Sequence, residues 1–222
     1  MKKLLFKYMG ENIKLEISGG KILTGILVEI GSDIVIIYNG KDFQYIPIVH
    51  VHHIGFPNES EQEIQQPVDP PIIDYEQELS VRKILTSAKG MFTEIYVTSN
   101  QPIHGYITSI MNNYFVFHSP VHKTMFISLN HLKWLIPYDN NQSPYSLPRQ
   151  DLPLRPVNIS LARSFEIQME KQVGKLVIFN IGENPNTIGK LQGIRDNILE
   201  LVTARGECLY LNVNHIKTMH FT

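Results

Sequence analysis

Short apolar runs broken by turn residues recur along this 222-residue chain, and one pattern of apolar and variable positions is written three times. Tyr45-Ile46-Pro47-Ile48-Val49-His50-Val51, Phe126-Ile127-Ser128-Leu129-Asn130-His131-Leu132 and Tyr210-Leu211-Asn212-Val213-Asn214-His215-Ile216 each run aromatic, apolar, variable, apolar, variable, His, apolar. Residues two apart share one face of a strand, so each stretch reads as a strand entering a tight corner before the next strand. A glycine inside an apolar run precedes each one, at Gly25, Gly105 and Gly189, and the glycine-to-histidine separations are 25, 26 and 26 residues. Two landmarks held in register three times predict three copies of one small β unit.

Within the first copy the pattern predicts strands at 13–17, 22–30, 33–38, 43–48 and 51–56, separated by Gly19-Gly20, Gly31-Ser32 and Asn39-Gly40. Asn-Gly between apolar runs is a strong two-residue hairpin signal. The glycine inside the long second strand predicts a sharp bend, where a Cβ would be in the way. Asn112-Asn113 and Asp196-Asn197 stand in the other copies where Gly31-Ser32-Asp33 stand in the first. A helix is predicted ahead of the strands in each copy, over 1–9, 76–89 and about 160–172. Val81, Ile84, Leu85 and Ala88 are spaced for one helix face, as are Leu161, Phe165 and Met169. Asp74, with Gln77 three residues on, and Ser160 are the expected N-terminal caps.

Composition changes between the copies. Residues 58–75 carry five acidic side chains and no basic one, and with residues 139–157 they hold seven of the 13 prolines. Proline removes a backbone donor and is poorly tolerated inside ladders or helices, so both stretches read as linkers. The expected division is therefore 1–57, 76–138 and 158–222 for the copies, with an acidic linker at 58–75 and a proline-rich one at 139–157.

Charge narrows the function classes. Twenty basic and 21 acidic residues leave a net charge of −1, and the copies hold 6 basic and 5 acidic, 5 and 3, and 7 and 6 residues in turn. None concentrates cations as a phosphate-tracking groove does. One cysteine, Cys208, excludes an internal disulfide framework and suits a reducing compartment. Lys7 and Gly10-Glu11-Asn12 cut the N-terminal apolar run short of a signal peptide, and no apolar run reaches membrane-spanning length. The expectation is a soluble, cytoplasmic protein.

A helix leading into five antiparallel strands, with a bent second strand and a short corner between the fourth and fifth, resembles the Sm-like fold of Sm, LSm and Hfq proteins. The resemblance covers everything outside the linkers and implies a mainly β chain of three tandem units, each an N-terminal helix plus a five-stranded antiparallel small barrel. The chain is also similar to three joined copies of short proteins of spore-forming Bacillus, uncharacterised or assigned to the spore coat. Sm motifs pair a glycine with an acidic residue and a base-holding asparagine. Gly25 and Asp33 fit, but Val35 and Ile36 stand at the asparagine position; Gly105 is followed by Asn113, Phe115 and Val116, and Gly189 by Asn197, Leu199 and Glu200. The Arg-Gly of the second Sm motif is replaced by Pro47-Ile48, Ser128-Leu129 and Asn212-Val213, while Arg205-Gly206 falls at the preceding hairpin. The Lys-His pair of Hfq is missing as well. The scaffold matches and the RNA-holding residues do not.

His50, His131 and His215 are the candidate ligand or interface residues: three equivalent imidazoles could meet a ligand or sense pH. The plainer reading is a histidine that ties down backbone groups at a corner. His50-Val51-His52-His53 suggests a metal, but the other copies carry Lys133 and Lys217 in place of His52, so no metal site and no cofactor are expected. Phosphate loops, Gly-x-Ser-x-Gly and His-Glu-x-x-His are missing, so no catalytic residues are assigned and the chain reads as non-enzymatic. Cys208, in an apolar strand context, is expected to be a small packing residue, and Trp134 to align near Ile54 in barrel packing. Sm-like resemblance implies unpaired fourth and fifth strand edges. The three units are expected to pair edge to edge through 45–48, 126–129 and 210–213, and two chains to complete a six-unit pseudo-hexameric ring. The leading function is a structural or protein-interaction module, associated with sporulation or the spore coat through the looser resemblance. A divergent RNA-binding protein is the alternative, and a small-molecule or metal sensor the third reading.

Overall fold

Runs rich in β-branched and aromatic residues become strands in the described parts of the chain. The structure is a computed structural model that describes residues 2–57, 64–71, 73, 79–98, 101–139, 144–148, 152, 159–182 and 184–221. In the first copy, α1 (Lys2–Leu5) continues as a 3-10 turn over Phe6–Tyr8 and leads into β1 (Asn12–Ile17), β2 (Lys21–Ile30), β3 (Ile34–Tyr38), β4 (Phe43–Pro47) and β5 (Val51–Gly55). The second copy has α2 (Val81–Ser87), β6 (Phe92–Tyr96), β7 (Pro102–Ile110), β8 (Tyr114–Ser119), β9 (Lys123–Ser128) and β10 (Trp134–Pro137). The third has α3 (Phe165–Glu170), β11 (Leu176–Phe179), β12 (Ile188–Arg195), β13 (Ile198–Val202), β14 (Cys208–Asn212) and β15 (Thr218–His220). Among the described residues the molecule is mainly β, with fifteen strands in antiparallel pairs and few, short helices. No helix among the described residues is long and apolar enough to cross a membrane.

Contacts divide the chain into two units, Met1–Pro102 with Lys133–Gln142, and Ile103–Leu132 with Ser143–Thr222. In the first, the strand order is β6-β10-β4-β3-β2-β1-β5; in the second it is β14-β13-β12-β11-β15-β9-β8-β7. The fifth strand of the second copy thus pairs with the fourth of the first, β10 with β4, and the fifth strand of the third with the fourth of the second, β15 with β9.

Register repeats in detail. The second strand of each copy carries a bulge three residues after its glycine, between Leu27 and Glu29, Ile107 and Ser109, and Leu191 and Gly193. The glycine is there because the neighbouring backbone approaches too closely for a side chain: a Cβ at Gly25 would lie 2.6 Å from Tyr38 O, and one at Gly105 or Gly189 would collide with His118 O or Val202 O. Close approach, in addition to the bend itself, excludes a larger residue. Each corner between the fourth and fifth strands is a 3-10 turn ending on the repeated histidine: Ile48–His50, Leu129–His131 and Val213–His215.

The helices are shorter than their apolar spacing predicts. α1 is four residues before its 3-10 turn, α2 starts at Val81 and α3 at Phe165. The caps explain the later starts: the side chains of Ser80 and Ser164 accept from the backbone N–H of Lys83 and Ile167. Ser160 is therefore not the cap, and its carbonyl and hydroxyl oxygens instead accept from Lys171 Nζ at 3.2 and 3.3 Å. Asp74 and Gln77 lie outside the described residues.

In the first unit, Leu5, Leu15, Leu27, Ile37 and Ile46 form the core together with Trp134 and Ile136 from β10. Trp134 is 1% exposed, stacks on Tyr96 at 3.8 Å between centroids, and has Lys21 Nζ 4.8 Å from its ring. In the second unit, Phe165, Met169, Val177, Phe179 and Leu199 share a core with Tyr114, Val116 and Phe126 from β8 and β9. Part of the acidic linker is placed: Gln66 donates to Gly10 O at 2.8 Å, and residues 65–70 line a groove with Tyr38, Asp42 and Asp139. Burial there raises the Asp42 carboxyl above its ordinary range.

Candidate functional site

The three histidines occupy one structural position and make three different sets of bonds. His50 is buried; its Nδ1 lies 3.2 Å from Ser18 Oγ, and its carbonyl accepts from Ser18 N at 2.9 Å. His52 Nε2 reaches the same hydroxyl at 3.1 Å, and His53 Nδ1 meets Glu16 Oε2 at 3.0 Å. His131 Nε2 donates to Asn214 O at 2.9 Å. His215 is exposed, and its carbonyl accepts from Asn180 Nδ2 at 3.5 Å. Two of the imidazoles thus hold backbone or a hydroxyl at the corner. His50 lies in the 3-10 turn instead of a strand, so its side chain is not set on the face of His52 by strand alternation. Among the described residues, no group of three or more His, Cys, Asp or Glu side chains is arranged to hold a metal ion.

A recurrent arrangement that sequence reasoning did not assemble joins one copy to the next. The start of the third strand receives the helix of the next copy. Asp33 Oδ1 accepts from Val81 N at 2.8 Å, and Ser32 N donates to Leu79 O at 2.8 Å. At the equivalent place Asn113 Oδ1 accepts from Phe165 N at 2.8 Å, and Asn112 N donates to Arg163 O at 3.1 Å. These acceptors satisfy amides that a helix leaves orphaned in its first turn. Asn113 Nδ2 also donates to both Glu166 oxygens, at 2.9 and 3.1 Å. Burial pushes the Glu166 carboxyl up, but hydrogen bonds from its own backbone N–H, Asn113 and Ser164 outweigh it and hold the group below its ordinary value. A signal for this arrangement is present in the sequence: Asp33 and Asn113 are the positions the Sm resemblance singles out, and here they hold a helix.

The joint is completed by strand pairing. Leu135 lies opposite Tyr45, and Thr218, Met219 and His220 lie opposite Ile127, Phe126 and Met125. Tyr45 and Phe126 are fully buried there. Tyr114, 0% exposed, donates to Ala162 O at 2.7 Å and to Gln168 Oε1 at 3.3 Å, and burial raises its phenol to about 12 although the bond to Ala162 partly opposes this. The third expected edge, 210–213, is open: β14 pairs with β13 alone among the described strands, and Tyr210 is 70% exposed. Cys208 lies on this edge and is exposed instead of packed, donating to Glu200 Oε1 at 3.2 Å, a bond that raises its thiol pKa. Trp134 aligns with His53 one position before Ile54, since Ile54 and Leu135 face Leu15 and Ile95 of their first strands.

His220 gives a pH test of the second joint. It is 6% exposed, and burial, with a smaller contribution from His122 at 5.5 Å, lowers its pKa to about 4. Burial also lowers His122. An unfolded chain binds this proton near the ordinary value of 6.5 and the folded chain only near 4, so stability is fully present above that window. It should fall by about 1–2 kcal/mol as pH drops from 6.5 to 4. Thermal melts of wild type and His220→Gln across this range check it; the variant should show a shallower fall.

Similar sequences cover both the C-terminal part and nearly the whole of the chain. A family model described as the YwrJ third domain matches residues 164–219, which lie within the third copy. Over 98% of its length the chain is 42% identical to the uncharacterized protein YwrJ of Bacillus subtilis (strain 168), of which 99% is covered.

Proposed function

The chain belongs to the YwrJ family, and we propose that it is a non-enzymatic structural or protein-interaction module built from three Sm-like units. One observation carries the reading: the fourth strand of one copy pairs with the fifth of the next at both internal junctions, where the third strand also receives the next helix. Surfaces that would hold nucleotide in an Sm protein are given over to lateral packing. Units of this size have small cores, and a shared joint buries edges that would otherwise leave backbone groups unpaired. The division into copies at 1–57, 76–138 and 158–222, each an N-terminal helix and a small barrel, belongs to this proposal, as does a role in the spore coat or sporulation.

Filter binding with short U-rich and A-rich RNA at two salt concentrations tests the reading. The expected result is no submicromolar affinity at physiological salt, because no copy concentrates cations or carries the base-holding residues. Submicromolar, salt-sensitive binding would replace the module with a divergent RNA-binding protein. Fractionation of sporulating cells tests the spore assignment, and absence from the spore fraction would remove it.

A further inference from the structure

The first and third copies each leave exposed, at one end, residues whose counterparts the internal joints bury. At the joints, Ile34 and Tyr114 are 0% exposed, whereas Ile198, at the same position of the third copy, is 38% exposed. Tyr45 and Phe126 are 0% exposed, and their counterpart Tyr210 is 70% exposed. The difference extends along whole strands: β4 and β9 are buried at nearly every position, while β14 alternates exposed and half-buried. In the first copy, Leu4 is 61% exposed where Ile84 and Gln168 are 1% and 0% exposed, and β5 pairs with β1 alone among the described strands. Among the described residues, then, the fourth strand of the third copy and the helix and fifth strand of the first lack the partners that their counterparts have at the internal joints.

We propose that the outer face of the third copy, on β13 and β14, is a docking surface for a second copy of this chain, which enters with its first copy. The proposal rests on the module reading and adds its partner and register. If the joints at Leu135–Tyr45 and Met219–Phe126 are repeated, β5 of the incoming chain lies antiparallel to β14, Ile54 opposite Tyr210 and Gly55 opposite Leu209. Leu4 then meets Ile198, as Gln168 meets Tyr114 within the chain. Asn197, where Asp33 and Asn113 accept from a helix N-terminus, faces the incoming α1. The contact is heterologous, so each chain offers one face of each kind. Glu200 modulates it. Ile36 and Val116 hold this position at the internal joints, and a carboxylate there resists desolvation, which makes the joint between chains the weakest of the series.

Sedimentation of the full chain at micromolar concentration should give a mass above that of one 25.5 kDa chain. Tyr210→Lys should weaken association by about thirtyfold or more, the size of a lost aromatic anchor, with an unchanged melting temperature at low concentration. Glu200→Val should tighten it by about tenfold, since no carboxylate is then buried. Register is read separately by mixing Ile54→Cys and Tyr210→Cys chains, both carrying Cys208→Ser: a disulfide should form in the mixture and not when His52→Cys replaces Ile54→Cys. Wild type and Glu200→Val both sedimenting as single chains would overturn the proposal, as would a Tyr210→Lys protein that folds and assembles like wild type. Should Tyr210→Lys misfold, the cross-linking mixture decides alone. None of these failures touches the non-enzymatic module, which stands or falls on the RNA measurement.

Discussion

Gly25→Ala unfolds at markedly lower urea than wild type, with a loss of about 3 kcal/mol. The added Cβ would sit 2.6 Å from Tyr38 O, 3.0 Å from the carbonyl carbon and 3.2 Å from Ile37 Cβ. Two of these are backbone atoms in a paired strand, so no side-chain rotation relieves the clash. Relief requires moving β3 away from β2 beside the bulge at Val28, which breaks ladder hydrogen bonds or opens the core under Leu27 and Ile37. Trp134 lies in the same core, and its fluorescence reports the transition. Gly55→Ala is the control. Nothing stands within 4 Å of a Cβ there, and the change should stay within about 0.5 kcal/mol. Equal losses at both positions would show that the close approach at Gly25 has no energetic consequence.

Phe126→Ala and Tyr210→Ala, although they truncate the same position of two copies, are expected to differ by several kcal/mol. Phe126 is fully buried, with ring centroids of Tyr114 and Phe221 at 6.0 and 5.8 Å, and its removal leaves a cavity costing about 3–5 kcal/mol. Tyr210 is 70% exposed, and its removal should change the stability of the dilute chain by less than about 0.5 kcal/mol. Thermal unfolding monitored by circular dichroism distinguishes them. Similar destabilisation by both would mean that β14 is covered in the isolated chain, and would contradict the open edge.

Much of the strand pattern is legible in the residues. Apolar runs and the turn residues between them locate the first-copy strands within a residue or two; alternation reports the single buried face of β1, whereas β3 and β4, buried at nearly every position, read as continuous apolar runs. Helix extents are less legible. Val81, Ile84, Leu85 and Ala88 share a face, but the start of the helix is fixed by Ser80 and by Asp33, which is 48 residues away from Val81. No local window contains such a partner. Cys208 misleads for a similar reason. Its apolar neighbours are those of a strand that is covered in two copies and uncovered in the third, and sequence likeness among copies conceals that difference in setting. The histidines illustrate the converse: one letter at one corner meets Ser18, Asn214 or solvent according to the surrounding chain.

The linkers have a thermodynamic effect that is separate from any contact they make. Tethering neighbouring copies turns their association into an intramolecular event, with an effective concentration set by the length and stiffness of the connection instead of by the amount of protein. Dilution cannot separate joints formed in this way, so the cell need not maintain any particular amount of protein to keep them closed. The uncovered edge at β14 has no such protection: if it takes a second chain as proposed, its occupancy rises and falls with abundance, which would leave expression level as the control on how far assembly extends.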